Sequence, residues 1–386
     1  MKKIFLCYAS NNLHSIYKNM IKNPPDGYEF ILPNKSPKKI FLSFLQNSKS
    51  IKIVYRFTIK KLIRSLDLYS NMVYSQPPED IDLTLAFGTI IPGDSSYIID
   101  LPENPFSMAG YNYKIFKKNL ELINQNLLKS NCKAVIYSFK DCYNLCAKFF
   151  DPKVMEKFVL IRFALKQHPY KKRDYSKIKF LFIGSLSNPD DFEIKGGVET
   201  IESFIKLRKE FGEKVELTIK CNVPKWVYKK YNLEGINILN KSISQEELDD
   251  LFFSSHVLFV PSHSAVAMTP IEGMSFAMPL IAIDIYGANE YVKNNKNGFL
   301  IKPSKKIPYN SEDYPCNVRT KEFIEKLRDS DLEVINEIYI NIRKFVLNPK
   351  LLEKMGKNSY NLLKTDFSLD KRNRLLKKVF DKFTKS

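Results

Sequence analysis

No two of the six cysteines, Cys7, Cys132, Cys142, Cys146, Cys221 and Cys316, form a CxxC pair, and no histidines cluster beside them. That excludes a zinc finger and leaves Cys142 and Cys146, at helical spacing, as small core residues. Free thiols in turn imply a reducing compartment. No apolar run reaches the length of a membrane-spanning helix. The apolar start MKKIFLCYAS stops at Asn11 and Asn12, too short for the core of a signal peptide. A chain made in the cytoplasm, soluble or peripheral to a membrane, is expected. The Gly-rich phosphate loop of a dinucleotide binder is missing after the first apolar run at 3–8, and no repeat or low-complexity tract is evident.

Acidic residues are also missing between positions 35 and 64, where nine Lys or Arg are interleaved with FLSFL and IVYRF. Lys52, Arg56, Lys60 and Arg64 fall at i, i+4 spacing, so on a helix they would make one basic line beside Tyr55, Ile59 and Leu62. That pattern suits an anionic membrane surface, and it equally suits an amphipathic helix with a solvated basic face. The whole chain carries a net charge of +19, with pI near 9.4. Such charge favours anionic partners. No helix-turn-helix or aromatic-basic stacking pattern accompanies it, so nucleic acid is not expected.

What is present is a long globular chain, 386 residues with 44% hydrophobic and 13% aromatic content, enough for two or three cores. Strand-like runs at 3–8, 82–87, 97–100, 134–138 and 158–164 alternate with helical stretches at 113–129 and 140–150. Asp80, Ile81 and Asp82 make a DxD, but it precedes its strand, and hard-cation sites need carboxylates converging at a strand exit, so no metal is expected. Glu103, in LPENPF, lies in a loop after a strand, where a carboxylate can act in chemistry or simply cap a turn. The polar stretch HPYKKRDYSK reads as a linker.

A second alternation follows, with strands expected at 178–183, 215–220, 236–239, 256–260, 280–284 and 298–301. This is the rhythm of a doubly wound parallel sheet. After the first of these strands come Gly184 and Ser185, then Lys195, Gly196 and Gly197 opening a helix, a credible phosphate site of backbone amides and one mobile cation. After 256–260 comes PSHSAVAMTPIEGMSFAMPLIAIDIYGANE. Thr269, Pro270 and Glu272 spell a helix start with Thr as N-cap and Glu three residues on, so the structural reading of Glu272 is a capping-box carboxylate. Gly287 to Glu290 opens the next helix.

In order, FIGSL, IKGGVETIESFIKL, VELTIK, ISQEELDDLFFSSHVLFVPS, TPIEGMSFAMPLIA, IYGANEYV and NGFLI resemble the nucleotide-sugar-binding domain of retaining GT-B glycosyltransferases of family 4, the group 1 type, over roughly 177–303. The resemblance implies two Rossmann-like doubly wound domains facing a central cleft. An acceptor domain would take 1–168, a donor domain 169–345, and C-terminal helices over 346–386 would return to the first domain. It implies a hexosyltransferase moving a hexose-like sugar from a nucleotide-sugar donor to a lipid-linked or glycan acceptor, with retention, without metal or resident cofactor. The setting it implies is cytoplasmic, at the inner face of the membrane where the basic line would dock. The runner-up is a catalytically degenerate GT-B fold that binds a nucleotide, a membrane or a partner.

Position by position, Glu272 matches the second glutamate of the family's E-x7-E motif, which holds the donor ribose, and Lys195 the lysine on the donor diphosphate. Ala267, Met268 and Thr269 would bring backbone N–H groups near the diphosphate or sugar, with Gly184, Gly196, Gly287 and Glu290 around them. The first glutamate of the motif is replaced by Ser264, and the arginine after the first-strand glycine by Ser185. His263 could supply a hydrogen bond that Ser264 does not, and Asp100 or Glu103 could stand for the acceptor-side histidine.

Overall fold

The computed structural model describes residues 1–7, 13–33, 77–91, 93–101, 103–186 and 190–384. The basic line Lys52, Arg56, Lys60 and Arg64 lies outside the described residues. The chain divides into two compact units, Met1–Arg162 with Arg372–Ser386, and Phe163–Lys371.

In the first unit, strands β1 (Lys2–Cys7), β2 (Tyr28–Ile31), β3 (Leu83–Phe87), β4 (Tyr97–Leu101), β5 (Cys132–Tyr137) and β6 (Phe158–Leu160) form one sheet, ordered β2-β1-β3-β4-β5-β6. All of its described pairings are parallel. The central strands are near-continuous apolar runs because helices cover both faces, leaving no solvent face to encode by alternation. The expected 113–129 helix is two, Tyr113–Lys118 and Leu120–Leu128. Asn119 sits between them and turns its amide back to Ile115 O at 2.8 Å, which ends the first helix. β6 is also shorter than expected, since from Phe163 the chain belongs to the second unit.

The last helix, Leu369–Phe383, returns to this sheet. Its Leu376, Val379 and Phe380 fall at i, i+3, i+4 spacing and join Ile4, Leu6, Leu85 and Ile98 in the core. Each such side chain contributes about 1.5–3 kcal/mol by burial. Arg372 fixes the helix start, donating to Asn19 Oδ1 at 2.7 Å and Asn23 O at 2.6 Å.

In the second unit, β7 (Ile178–Ile183), β8 (Val215–Lys220), β9 (Ile236–Ile238), β10 (Val257–Val260), β11 (Leu280–Ile283) and β12 (Gly298–Ile301) form a parallel sheet ordered β12-β11-β10-β7-β8-β9. The order reverses between β7 and β10, whose register pairs Val257 with Phe180, Leu258 with Leu181 and Phe259 with Phe182. In open α/β sheets the crevice beyond such a reversal is where ligands bind.

The stretch expected to be a linker packs on this unit. The Arg173 guanidinium donates to Ala277 O at 3.1 Å, Phe252 O at 3.3 Å and Phe276 O at 2.5 Å, and the His168 ring stacks on Phe276 with centroids 3.9 Å apart. Those carbonyls end helices Gln245–Ser254 and Met268–Ser275, so one cation satisfies two helix C-termini. The helix Pro349–Asp366 opens with Asn348 accepting from Leu351 N and Pro349 in its first turn.

Gly356, within that helix, lets it touch the turn after Met268–Ser275: a Cβ there would lie 2.3 Å from Ala277 O. Helix propensity alone favours Ala over Gly by about 1 kcal/mol. A backbone collision of this kind outweighs that gain, since overpacking costs about 1–3 kcal/mol. Gly356→Ala is therefore expected to lower the thermal unfolding midpoint, and a raised midpoint would show that the contact yields.

Candidate functional site

The loops that leave β7 and β10 meet beyond the reversal of the second sheet. After β7 the chain passes half-buried Gly184 and Ser185, makes a short helix at Asp191–Ile194, and reaches Lys195. Gly196 then adopts φ +82°, a left-handed conformation that favours glycine, and the helix Gly197–Phe211 begins. A side chain at Gly196 would also collide with the other loop, because its Cβ would lie 2.1 Å from Pro261 O. The two backbones are in contact here, and Lys195 Nζ reaches across to Ala265 O at 3.4 Å. No side chain caps the Gly197–Phe211 helix, so its first amides remain for an anion.

The turn before Lys195 is held by charge. Glu193 is fully buried, and its Oε1 accepts from Arg328 Nε at 2.7 Å and Trp226 Nε1 at 3.2 Å. Asp191 accepts from Arg319 at 2.9 Å. A buried carboxylate persists only where partners compensate its lost hydration, so removing Arg319 would strand Asp191 and removing Arg328 would leave Glu193 only the Trp226 N–H. Both arginines lie beyond the last strand of this sheet, and no local sequence signal joins them to 191–195.

His263 is likewise buried. Its Nε2 bonds Glu199 Oε1 at 3.0 Å, its Nδ1 bonds Tyr309 Oη at 2.6 Å, and its carbonyl accepts from Tyr314 Oη at 3.2 Å. Both ring nitrogens are thus engaged within the protein. Burial pushes the Tyr309 hydroxyl pKa upward, so it stays a phenol. Sequence reasoning missed Glu199 and Tyr309: an acid in the first turn of a helix reads as a response to the helix dipole, and Tyr309 carries no motif. Beside His263, Ser264 is half-buried, its amide donating to Ser262 Oγ at 3.3 Å.

The capping-box reading of Glu272 is corrected. The helix is Met268–Ser275 and its N-cap is Ala267, with no side-chain cap bond. Thr269 is already helical, Pro270 lies in the first turn where its missing N–H costs nothing, and Glu272 lies too far along to reach back to the cap. Its half-buried carboxylate receives no hydrogen bond from the described residues. Burial, reinforced by the Asp249 carboxylate and opposed by Lys220, pushes its pKa up to about 7. Ala267 is the N-cap and Met268 and Thr269 open the first turn of this helix, whose start no side chain caps.

Gly287, at φ +82°, begins the short helix Ala288–Tyr291, and Glu290 within it is buried. Between this helix and the loop after β10 lies a recess of about 330 Å³, open mouth included, whose walls include Ser262, Ser264, Val266, Pro270, Tyr286 and Tyr291. Glu103 belongs to the first unit, half-buried after β4. In the same unit Asp100 is buried and accepts from Tyr17 Oη at 2.7 Å, with burial pushing its pKa up to about 6. Asp80 and Asp82 are both turned to Lys3, one to its ammonium and one to its backbone N–H.

Residues 166–309 match the family model for glycosyl transferases group 1. No curated protein matches the sequence significantly. Among solved structures, Anabaena Alr3699/HepE in complex with UDP is similar at 13% identity, with 99% of this chain and 100% of that one covered and a TM-score of 0.62. A glycosyltransferase from Rickettsia africae is similar at 12% identity, covering 99% and 98%, with a TM-score of 0.58. S. aureus TarM, in a complex that includes UDP, shares 16% identity over 74% of this chain and 51% of its own, with a TM-score of 0.52. The chain spans 51% to 59% of the length of the TarM and pneumococcal GtfA chains it matches. At these identities the likeness is one of fold, and the fold is that of the GT-B glycosyltransferases: two parallel six-stranded sheets, each flanked by helices.

Proposed function

We propose that this chain is a retaining, metal-independent glycosyltransferase of family 4 that moves a hexose-like sugar from a nucleotide-sugar donor to a lipid-linked or glycan acceptor. The observation that carries the reading is the meeting of Lys195 with the Ala265 backbone at the reversal of the second sheet, between two helix N-termini that no side chain caps. The solved neighbours crystallised with UDP, and the group 1 match over 166–309, support the same donor class.

In this reading the bond between the anomeric carbon and the diphosphate oxygen breaks, and the developing negative charge falls on the phosphates. Lys195, the first amides of the helix that Gly196 opens, and the amides of Ala267, Met268 and Thr269 meet that charge in a preorganised, partly dry site. The acceptor hydroxyl attacks from the leaving-group face, and the departing phosphate takes its proton. Glu272, with no structural bond to break, accepts from the ribose hydroxyls. Ser264 serves the sugar or its phosphate, whereas the direct role expected of His263 is corrected, because its ring is spent on Glu199 and Tyr309 and it holds the loop in place instead. Gly184, Ser185, Gly287 and Glu290 surround the donor, with Glu103 on the acceptor side. Among the described residues no helix is long and apolar enough to cross a membrane. The inner membrane face would be met through Lys52, Arg56, Lys60 and Arg64, and reversing those four charges should reduce sedimentation with anionic vesicles. The degenerate-binder reading is favoured by one feature, the commitment of both His263 ring nitrogens. Nucleotide binding with no sugar released to water or to any acceptor would select it.

Lys195→Ala is expected to lower kcat by about 10²–10³, the scale for removing one transition-state charge partner. Glu272→Ala should weaken nucleoside diphosphate binding by about 10-fold to 100-fold, the scale of hydrogen bonds to a charged group. Circular dichroism would check that both variants fold, and unchanged kinetics in both would remove the site assignment.

Glu272 also sets a pH dependence. Its folded pKa, about 7, lies above the ordinary glutamate value, so between pH near 4.5 and 7 the native state holds a proton that the unfolded chain has lost. The free protein should therefore lose stability as pH rises through that window. Binding of a nucleoside diphosphate should strengthen over the same window, because the ionised carboxylate is the better acceptor for ribose. Glu272→Gln should flatten both trends; if the affinity trend survives in that variant, another group governs it.

A further inference from the structure

The recess beside the donor loop is walled by Val260, Val266, Leu280, Ala282, Ile283 and Val292. Of the hydroxyls on its wall, those of Ser262 and Tyr291 are spent on the protein itself, and Ser264 Oγ lies 3.5 Å from Ser262 Oγ. Ser262 Oγ lies 3.0 Å from Ser264 O and 3.3 Å from Ile194 O, and it accepts from Ser264 N. Tyr291 Oη donates to Val266 O at 2.9 Å. A sugar hydroxyl entering this space would give up water and meet mostly methyl groups, whereas a methyl group would meet its like. An acetamido group would suffer as the hydroxyl does, since its N–H and C=O both need partners.

The recess is also in the right place. Ala265, whose carbonyl receives Lys195 Nζ, is flanked in sequence by Ser264 and Val266, and both of these line the wall. A diphosphate held at Lys195 would therefore lie against a residue whose two sequence neighbours line the recess. We propose, resting on the donor-site reading above, that this recess selects a nucleotide-linked 6-deoxyhexose, its C6 methyl group entering where a hydroxymethyl group would be left unpaired.

The test is isothermal titration of the full chain, first with UDP, dTDP and GDP, then with matched pairs of donors: UDP-6-deoxyglucose against UDP-glucose, dTDP-6-deoxyglucose against dTDP-glucose, and GDP-6-deoxymannose against GDP-mannose. Whichever nucleotide binds, its 6-deoxy sugar is expected to bind at least about tenfold tighter than the hydroxylated partner, within the roughly hundredfold by which an apolar pocket rejects an added hydroxyl. Val266→Thr, near-isosteric and half-buried, adds a hydroxyl to the wall and should reduce that preference by about threefold or more. Equal or tighter binding of the hydroxylated sugar overturns the inference and leaves the donor site standing. Should none of the three nucleoside diphosphates bind, the donor reading fails and the inference goes with it.

Discussion

The parallel pairing of β7 with β10 is the constraint on which the second unit depends. Strands adjacent in space but distant in sequence send their exits to one place, so Lys195 and Ala265, 70 positions apart, come within 3.4 Å. Neither loop could reach the other from strands placed elsewhere in the sheet. The contact is close enough that only glycine fits at position 196, because the facing group is the Pro261 carbonyl and not a side chain that could move aside. An arrangement built from backbone against backbone has little slack, and little slack is what preorganised amides require.

Around that meeting point the interior is unusually polar, and each polar group answers a different need. Glu193 is fully buried yet carries two donors on one oxygen, and Asp191 has its own arginine. Both arginines come from the chain beyond β12, so that segment is fastened to the turn carrying Lys195. His263 repeats the device on the other loop, tying it to Glu199 of the first loop's helix and to Tyr309. Burying such groups adds little net stability once desolvation is counted. Removing one partner would nevertheless be costly, so the network selects one geometry for the loops over its alternatives.

Much of the fold was legible because buried parallel strands leave an apolar rhythm: VLFV and LIAI each stand between loop signals and could hardly be anything else. The C-terminal helices were expected over 346–386 from the resemblance, and the spacing of Leu376, Val379 and Phe380 that seats the last of them was not read from the sequence. The 113–129 stretch hid its break because asparagine is compatible with a helix interior until its amide finds the Ile115 carbonyl. At the site, the glycines and Lys195 could be read from local pattern. The partners of His263 and Glu193 could not, because a hydrogen bond between residues tens of positions apart leaves no periodicity behind.

Glu272 shows how a correct local rule can mislead. Thr-Pro-x-Glu is a sound helix-start signature, but the helix begins earlier, at Met268, because β10 and the Gly196 contact fix where the loop must turn. The carboxylate is thereby moved past the cap and left half-buried without a hydrogen bond from the described residues. A group in that state opposes folding when ionised, as its raised pKa records. An acid with no structural task, held where its charge is disfavoured and beside two uncapped helix starts, gains a stabilising environment only when a ligand brings hydroxyl donors to it. Its discomfort in the free chain and its use in the bound one are the same interaction seen from two sides.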